Sequence, residues 1–331
     1  MDALWRELLD DARWAPSPHN TQPWKLRVIE EREAELLYDP ERLLPDTDAA
    51  GRFTTVALGI FVEAIVVAAA ARGHDLAVGY DGRPPDPHAR GPTLFATLRL
   101  VPYPREEPLG RELLLQRRTS RLPYDGRSLD EELLEELREL AERSGHGFSW
   151  SSEPGLVRET IALNEETLFS DLNDPVIRSE IGRWVRFSAA DAARRRDGFA
   201  PAALGVPGPL IRVFFRAHGL VELPVVRGIA RRLYRRTMRG TRTVAWLSGP
   251  FETPADCFAA GRMLLRFWLT LTRDGAQLHP FGSVITNAVA YAGLHGVVEA
   301  PTTGTLWLVA RLGYSTEPPR SSRLEVQELL A

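Results

Sequence analysis

Ala15-Pro-Ser-Pro-His-Asn-Thr-Gln-Pro-Trp24 is the stretch on which the reading of this 331-residue chain turns. Pro16, Pro18 and Pro23 fix φ and remove backbone donors, so the decapeptide is neither helix nor inner strand, and its remaining amides must bond elsewhere. Two uses are open from the residues alone. A loop rich in Pro, Ser and Asn is most often a rigid helix-to-strand connector; the sharper reading is one wall of a ligand site.

Outward from the loop, Asp2 to Trp14 is predicted to be a helix with Leu4, Leu8 and Ala12 on one face and Leu9 beside it, ended by the prolines. Lys25 to Ile29 and Ala34 to Tyr38, short aliphatic runs around a charged EERE turn, predict a hairpin. Arg52 to Arg72 has almost no polar face, which predicts a helix buried on all sides and closed by Gly73. Strands are expected over Asp75 to Tyr80 and Thr93 to Val101.

From Leu109 the pattern starts again. A helix leads to the basic turn RRTSR (Arg117 to Arg121), and Ser128 with Glu131 has capping-box spacing before a helix whose Leu133, Leu134, Leu137 and Leu140 face inward. Phe148 to Ser151 is a short strand. Helices follow from Pro154 to about Phe169 and from Pro175, the latter capped by Asp174. Residues 194–249 mix proline-glycine turns with arginine-rich apolar segments and are expected to be a lid-like insertion, its basic face solvated; a membrane-surface helix over Arg227 to Arg242 is the alternative. Thr253 caps a second long buried helix, then come the loop LHPFGSVITN and a strand from Thr305 to Tyr314. A long central helix and a helix-loop-strand unit therefore each occur twice, which predicts an α+β protein of two similar halves, 1–108 and 109–331.

Composition narrows the function classes. A net charge of −3 gives no reason to expect nucleic acid. The longest apolar run, Thr54 to Ala71, carries Glu63, so no membrane span is expected. One cysteine, Cys257, excludes an intrachain disulfide and a cysteine-based zinc cluster, and the acidic first helix is unlike a signal peptide; the expected compartment is the cytoplasm. No HExxH, Walker or Rossmann fingerprint occurs. Arg117, Thr119 and Arg121 alternate along a turn before a helix, where they could converge on a phosphate or, equally in keeping with the spacing, pair with the acidic helix that follows.

Taken in order, APSPHNTQPW, RRTSR and the terminal LGYSTEPPRSSR resemble the flavin-dependent nitroreductase family, and in length the single-chain Acg-type branch in which two such halves are fused. The resemblance implies a three-layer α/β/α fold with a mostly antiparallel sheet. It also implies one non-covalent FMN per chain, since the first half has the proline-asparagine loop and the second has the arginine turn. By resemblance, Arg117, Thr119 and Arg121 hold the phosphate, with Arg320 or Arg323 closing round it. Pro16, Ser17 and Asn20 line the isoalloxazine, and Pro280, Phe281, Gly282 and Ser283 follow His279 in the loop beside flavin N5. That loop has Gly282-Ser283 where the family usually has glutamate-glycine. A basic residue near Arg183 and Arg186 would touch the pyrimidine edge. Gln22 and Trp24 read as structural, His19 and His279 as solvated or capping, and Cys257 as a packed thiol.

The activity implied is hydride transfer from NAD(P)H through the flavin to a nitroaromatic, quinone or other small electrophile, with no catalytic side chain required. The alternative is a flavin-sequestering protein whose insertion occludes the cofactor. A fused pseudo-dimer needs no second copy, so a monomer is expected.

Overall fold

The computed structural model describes residues 3–102, 107–216, 224–298 and 304–331; Asp2 of the expected first helix and residues 217–223 of the expected insertion lie outside them. Two compact units are formed, one from residues 1–117, 250–273 and 323–331, the other from 118–249 and 274–322. The chain is α+β, and each unit holds a four-stranded sheet in which every pairing is antiparallel.

In the first unit, helix α1 (Ala3–Ala12) precedes the hairpin β1 (Trp24–Glu30) and β2 (Glu33–Tyr38), and α2 (Arg52–Ala70) leads to β3 (Asp75–Tyr80) and β4 (Thr93–Val101). The order across the sheet is β1-β2-β4-β3. The C-terminal end adds a parallel bridge from Leu330 to Leu26 at the β1 edge, with the Ala331 amide donating to the Leu26 carbonyl at 2.9 Å. Helix α2 is long and apolar enough to cross a membrane, yet it is buried in this unit, with every residue from Thr54 to Ala69 enclosed.

In the second unit, α4 (Glu131–Arg143) precedes β5 (Gly147–Ser151), β6 (Thr243–Gly249), β7 (Gln277–Pro280) and β8 (Thr305–Gly313), ordered β5-β6-β8-β7. Each sheet thus places its first, second, fourth and third strands side by side, which is the duplication the sequence foreshadows. The difference lies between the first two strands. β1 and β2 share a tight turn, whereas β5 and β6 are separated by α5 (Pro154–Asn173), α6 (Pro175–Arg183), α7 (Ala189–Arg195), α8 (Pro201–Leu204), α9 (Gly208–Arg216) and α10 (Pro224–Thr237).

Three expectations are corrected. The insertion cannot run from 194 to 249, because Thr243–Gly249 is an interior strand with all seven residues buried. Nor is it detachable, since Met238 belongs to the core with Trp246, Phe281 and Val309, and Tyr234 and Leu156 pack against it. The cap of α4 is Asp130 and not Ser128, because the chain stays extended through the buried Leu129. The expected loop LHPFGSVITN is β7 followed by α12 (Gly282–Thr286), with α13 (Ala288–Leu294) capped by the Asn287 side chain.

The second long helix, α11 (Pro254–Arg273), opens with a reciprocal cap between Thr253 and Asp256 and folds with the first unit rather than the later half. The cause is a backbone-to-backbone crossing with α2. A β-carbon at Gly59 would overlap the Phe258 carbonyl oxygen, and one at Gly261 would overlap that of Val56. Glu63, the one charge in the apolar run, is buried here between Arg262, 2.7 Å away, and Arg266, which also bonds Glu107 at 2.9 Å. Buried charge is tolerated because it is paired. The short helices α3 (Arg111–Gln116) and α14 (Val326–Leu329) complete the first unit.

Candidate functional site

The loop Ala15–Trp24 is held by its carbonyls. Arg117 Nη2 donates to Trp14 O at 3.0 Å, Arg323 Nη2 to Ala15 O at 3.3 Å, and Arg42 Nη1 to Thr21 O at 2.8 Å. Gln22, fully buried, donates to Asn20 O at 3.4 Å and accepts the Leu324 amide at 2.9 Å, while Ser17 Oγ accepts the Gln22 amide at 2.9 Å. Trp24 stacks on Phe61 of α2, the ring centroids 4.6 Å apart. Inside this frame, His19, Asn20 and Gln22 all take positive φ (50°, 56° and 53°), a region that residues other than glycine enter at a cost of about 1 kcal/mol or more each. Such strain persists only where the surroundings over-determine it, and it clusters at functional segments. Pro16 and Ser17 are half-buried and Asn20 is 7 % exposed.

The residues of the arginine turn divide between the units. Arg117, 5 % exposed, belongs to the first, where its guanidinium lies 4.6 Å over the Trp268 ring and serves the loop. Thr119 and Arg121 belong to the second, where Thr119 bridges in parallel to Leu278 of β7. Arg121 lies 4.9 Å from the Phe199 ring, and burial pushes its pKa down to about 10, with the neighbouring Arg311 adding to the shift. Among the described residues neither Arg121 nor Arg311 is paired with a carboxylate. Tyr124, buried beneath Arg311 with its ring 4.2 Å from that guanidinium, is pushed up to about 12 by burial. His279 is held well below its ordinary value by burial, then by the charges of Arg311 and Arg121. Two guanidiniums and a neutral histidine without an acid among them suit an anion.

Arg311 is the residue sequence reading missed. On β8 it sits in an apolar run, and only the rarity of a charge at a core position marked it. Beside this cluster, Pro280 ends β7, Phe281 is buried with its amide donating to Val309 O at 2.8 Å, and Gly282 and Ser283 open α12. Ser283 hydrogen-bonds Asp171 of α5, whose pKa is raised by burial. Asp171 also accepts from Asn287 at 2.8 Å.

Other sequence candidates resolve differently. Arg320 is exposed in the second unit, whereas Arg323 is buried in the first. Arg186 is committed to Asp197, its Nε 2.9 Å away, and Arg183 is exposed. Cys257 is buried, with its thiol pushed up to about 12 by burial, which makes it a packed side chain and not a reactive one.

A profile described as the nitroreductase family matches residues 2–50, which span α1, the strained loop and the first hairpin. The curated protein "Probable NAD(P)H nitroreductase PigM" of Serratia sp. is 26% identical over 321 residues, covering 91% of this chain and 86% of its own. The NAD(P)H nitroreductase acg of Mycobacterium tuberculosis, so named, is 34% identical over 110 residues, covering 33% of this chain and 32% of its own. Among solved structures, the FMN-dependent nitroreductase NfnB of Mycobacterium smegmatis is 14% identical with a TM-score of 0.41, covering 66% of this chain and 94% of that one. The profile spans the loop and the Serratia relative aligns along nearly the whole length, so what the chain is similar to, from end to end, is a protein named as an NAD(P)H nitroreductase.

Proposed function

We propose that this protein is an FMN-dependent oxidoreductase that takes a hydride from NAD(P)H and delivers it to a nitroaromatic, a quinone or another small electrophile. The observation that carries the reading is the pair Arg121 and Arg311, two buried or half-buried guanidiniums with no carboxylate partner among the described residues. The guanidinium of Arg121, with the buried positive charge of Arg311 behind it, fits a phosphate monoester. Thr119 and Arg121 would hold the phosphate with the exposed Arg320 closing over it, while Arg117 and Arg323 act through the loop carbonyls they bind. Pro16, Ser17 and Asn20 would line the ring system, and the backbone of Pro280, Phe281, Gly282 and Ser283 would face its edge. When bound, FMN supplies a ring system that accepts and returns a hydride, so the chain has only to orient it and exclude water. The relative named as an NAD(P)H nitroreductase supports the choice of donor. A single chain with two sheets of the same strand order supports a monomeric enzyme.

Replacement of Arg121 by Met and of Asn20 by Ala should each weaken FMN binding by at least about tenfold, read by quenching of FMN fluorescence; FMN affinity indifferent to both would sink the reading. A second reading, sequestration without turnover, is favoured by the helical stretch between β5 and β6, in which Leu156, Ile161 and Leu163 of α5 and Tyr234 of α10 pack against the core of the second unit. Steady-state NAD(P)H oxidation with menadione or nitrofurazone separates the two.

A further inference from the structure

We infer that Arg311 is the positioning residue of the anion-facing turn, fixing residues 118–122 and His279 in one arrangement; the flavin reading enters only as the identity of what the turn holds. Arg311 is fully buried, and all five of its N–H groups are placed. Nη2 donates to Ser120 O at 3.3 Å and Leu122 O at 2.9 Å, Nη1 to Thr237 O at 2.7 Å and Thr241 Oγ1 at 3.1 Å, and Nε to His279 Nδ1 at 3.1 Å.

Two of those acceptors flank Arg121 in the chain. The carbonyls of the residues before and after Arg121 are therefore held by one nitrogen of a rigid guanidinium, which fixes the backbone on both sides of that side chain. The fifth donor reaches β7, which the turn already meets at the Thr119–Leu278 bridge. The contact to Thr237 ends α10 on a cation, the favourable sign for a helix C-terminus. One side chain thus ties the turn, the strand before α12 and the last helix of the insertion together.

A guanidinium cannot accept, so the nitrogen it meets on His279 must be bare. His279 is then the neutral tautomer with its proton on Nε2. Burying a charge without an acid is costly, and here the cost is offset only by the five neutral acceptors that meet it. Arg311 therefore reads as a device for position and local positive charge. Lysine, with three donors on one nitrogen, cannot meet five acceptors that Arg311 reaches from three nitrogens.

The test uses the full chain labelled with ¹³C and ¹⁵N at histidine, with the His279 signal identified from the spectrum of His279→Gln. At pH 7 the wild type should show His279 neutral and protonated on Nε2. In Arg311→Met, shown folded by circular dichroism, the Nδ1–H form should appear and the FMN dissociation constant should rise at least about tenfold, with Arg311→Lys restoring neither. Wild-type His279 protonated on Nδ1, or charged, would overturn the inference, as would a folded Arg311→Met that keeps both the wild-type tautomer and the wild-type affinity. If Arg311→Met does not fold, the wild-type tautomer decides alone. A wild type that binds no FMN but shows the expected tautomer and its loss in Arg311→Met would remove the flavin reading and leave the role of Arg311 standing.

Discussion

Single side chains carry most of the shape of the candidate site. Gln22 is an example: a buried amide in a left-handed conformation, it links the Asn20 carbonyl to the Leu324 amide, so the loop and the C-terminal segment of the first unit depend on each other. Gln22→Ala leaves a buried amide proton and a carbonyl unsatisfied, and should cost about 1–3 kcal/mol in chemical denaturation. His279 makes a second case through its acid response. Its folded pKa lies below the ordinary value of 6.5. The unfolded chain therefore binds a proton that the native state refuses as pH falls below about 6.5, and stability is full above that pH and lost beneath it. His279→Asn should lose less stability than wild type between pH 7 and pH 5; parallel stability curves over that range would show that His279 is not buried as a neutral group.

Among the elements, the crossing of α2 and α11 decides which unit the second long helix joins. Gly59 and Gly261 bring the two backbones together, and a methyl group at either position would have to displace a carbonyl oxygen. Gly261→Ala should therefore destabilise the first unit by about 2–3 kcal/mol, lowering the thermal midpoint, whereas Gly82→Ala, whose β-carbon meets nothing within 4 Å, should cost only what its φ of 78° imposes. These contacts also explain what could be read from sequence and what could not. Strand β4 lies where the apolar alternation of LFATLRLV places it, because Phe95, Ala96, Leu98 and Leu100 are buried while Leu94, Thr97 and Arg99 are exposed, and β3 pairs along it over the expected residues. Apolar patterning likewise identified both long helices, but it says nothing of their partners, and α11 was assigned by position in the chain to the wrong half. The insertion was misjudged at its end because TVAWLSG follows an arginine-rich helix and is too short to stand out from it. Arg311 was overlooked for a different reason: its acceptors lie up to 191 residues away, and no local pattern encodes them.

For the whole molecule, each unit holds a sheet of the same strand order, and the proposed function reads the chain as a fused pair. A single FMN per chain follows from that reading, not two. The most direct measurement is an anaerobic titration of the purified protein with NADH and NADPH, followed by absorbance and by the flavin released on denaturation. Oxidised-flavin bands at about one FMN per chain that bleach with one of the two nucleotides are the expected result. A protein that stays colourless after incubation with FMN, or one whose flavin bands survive excess NADH and NADPH, would contradict it.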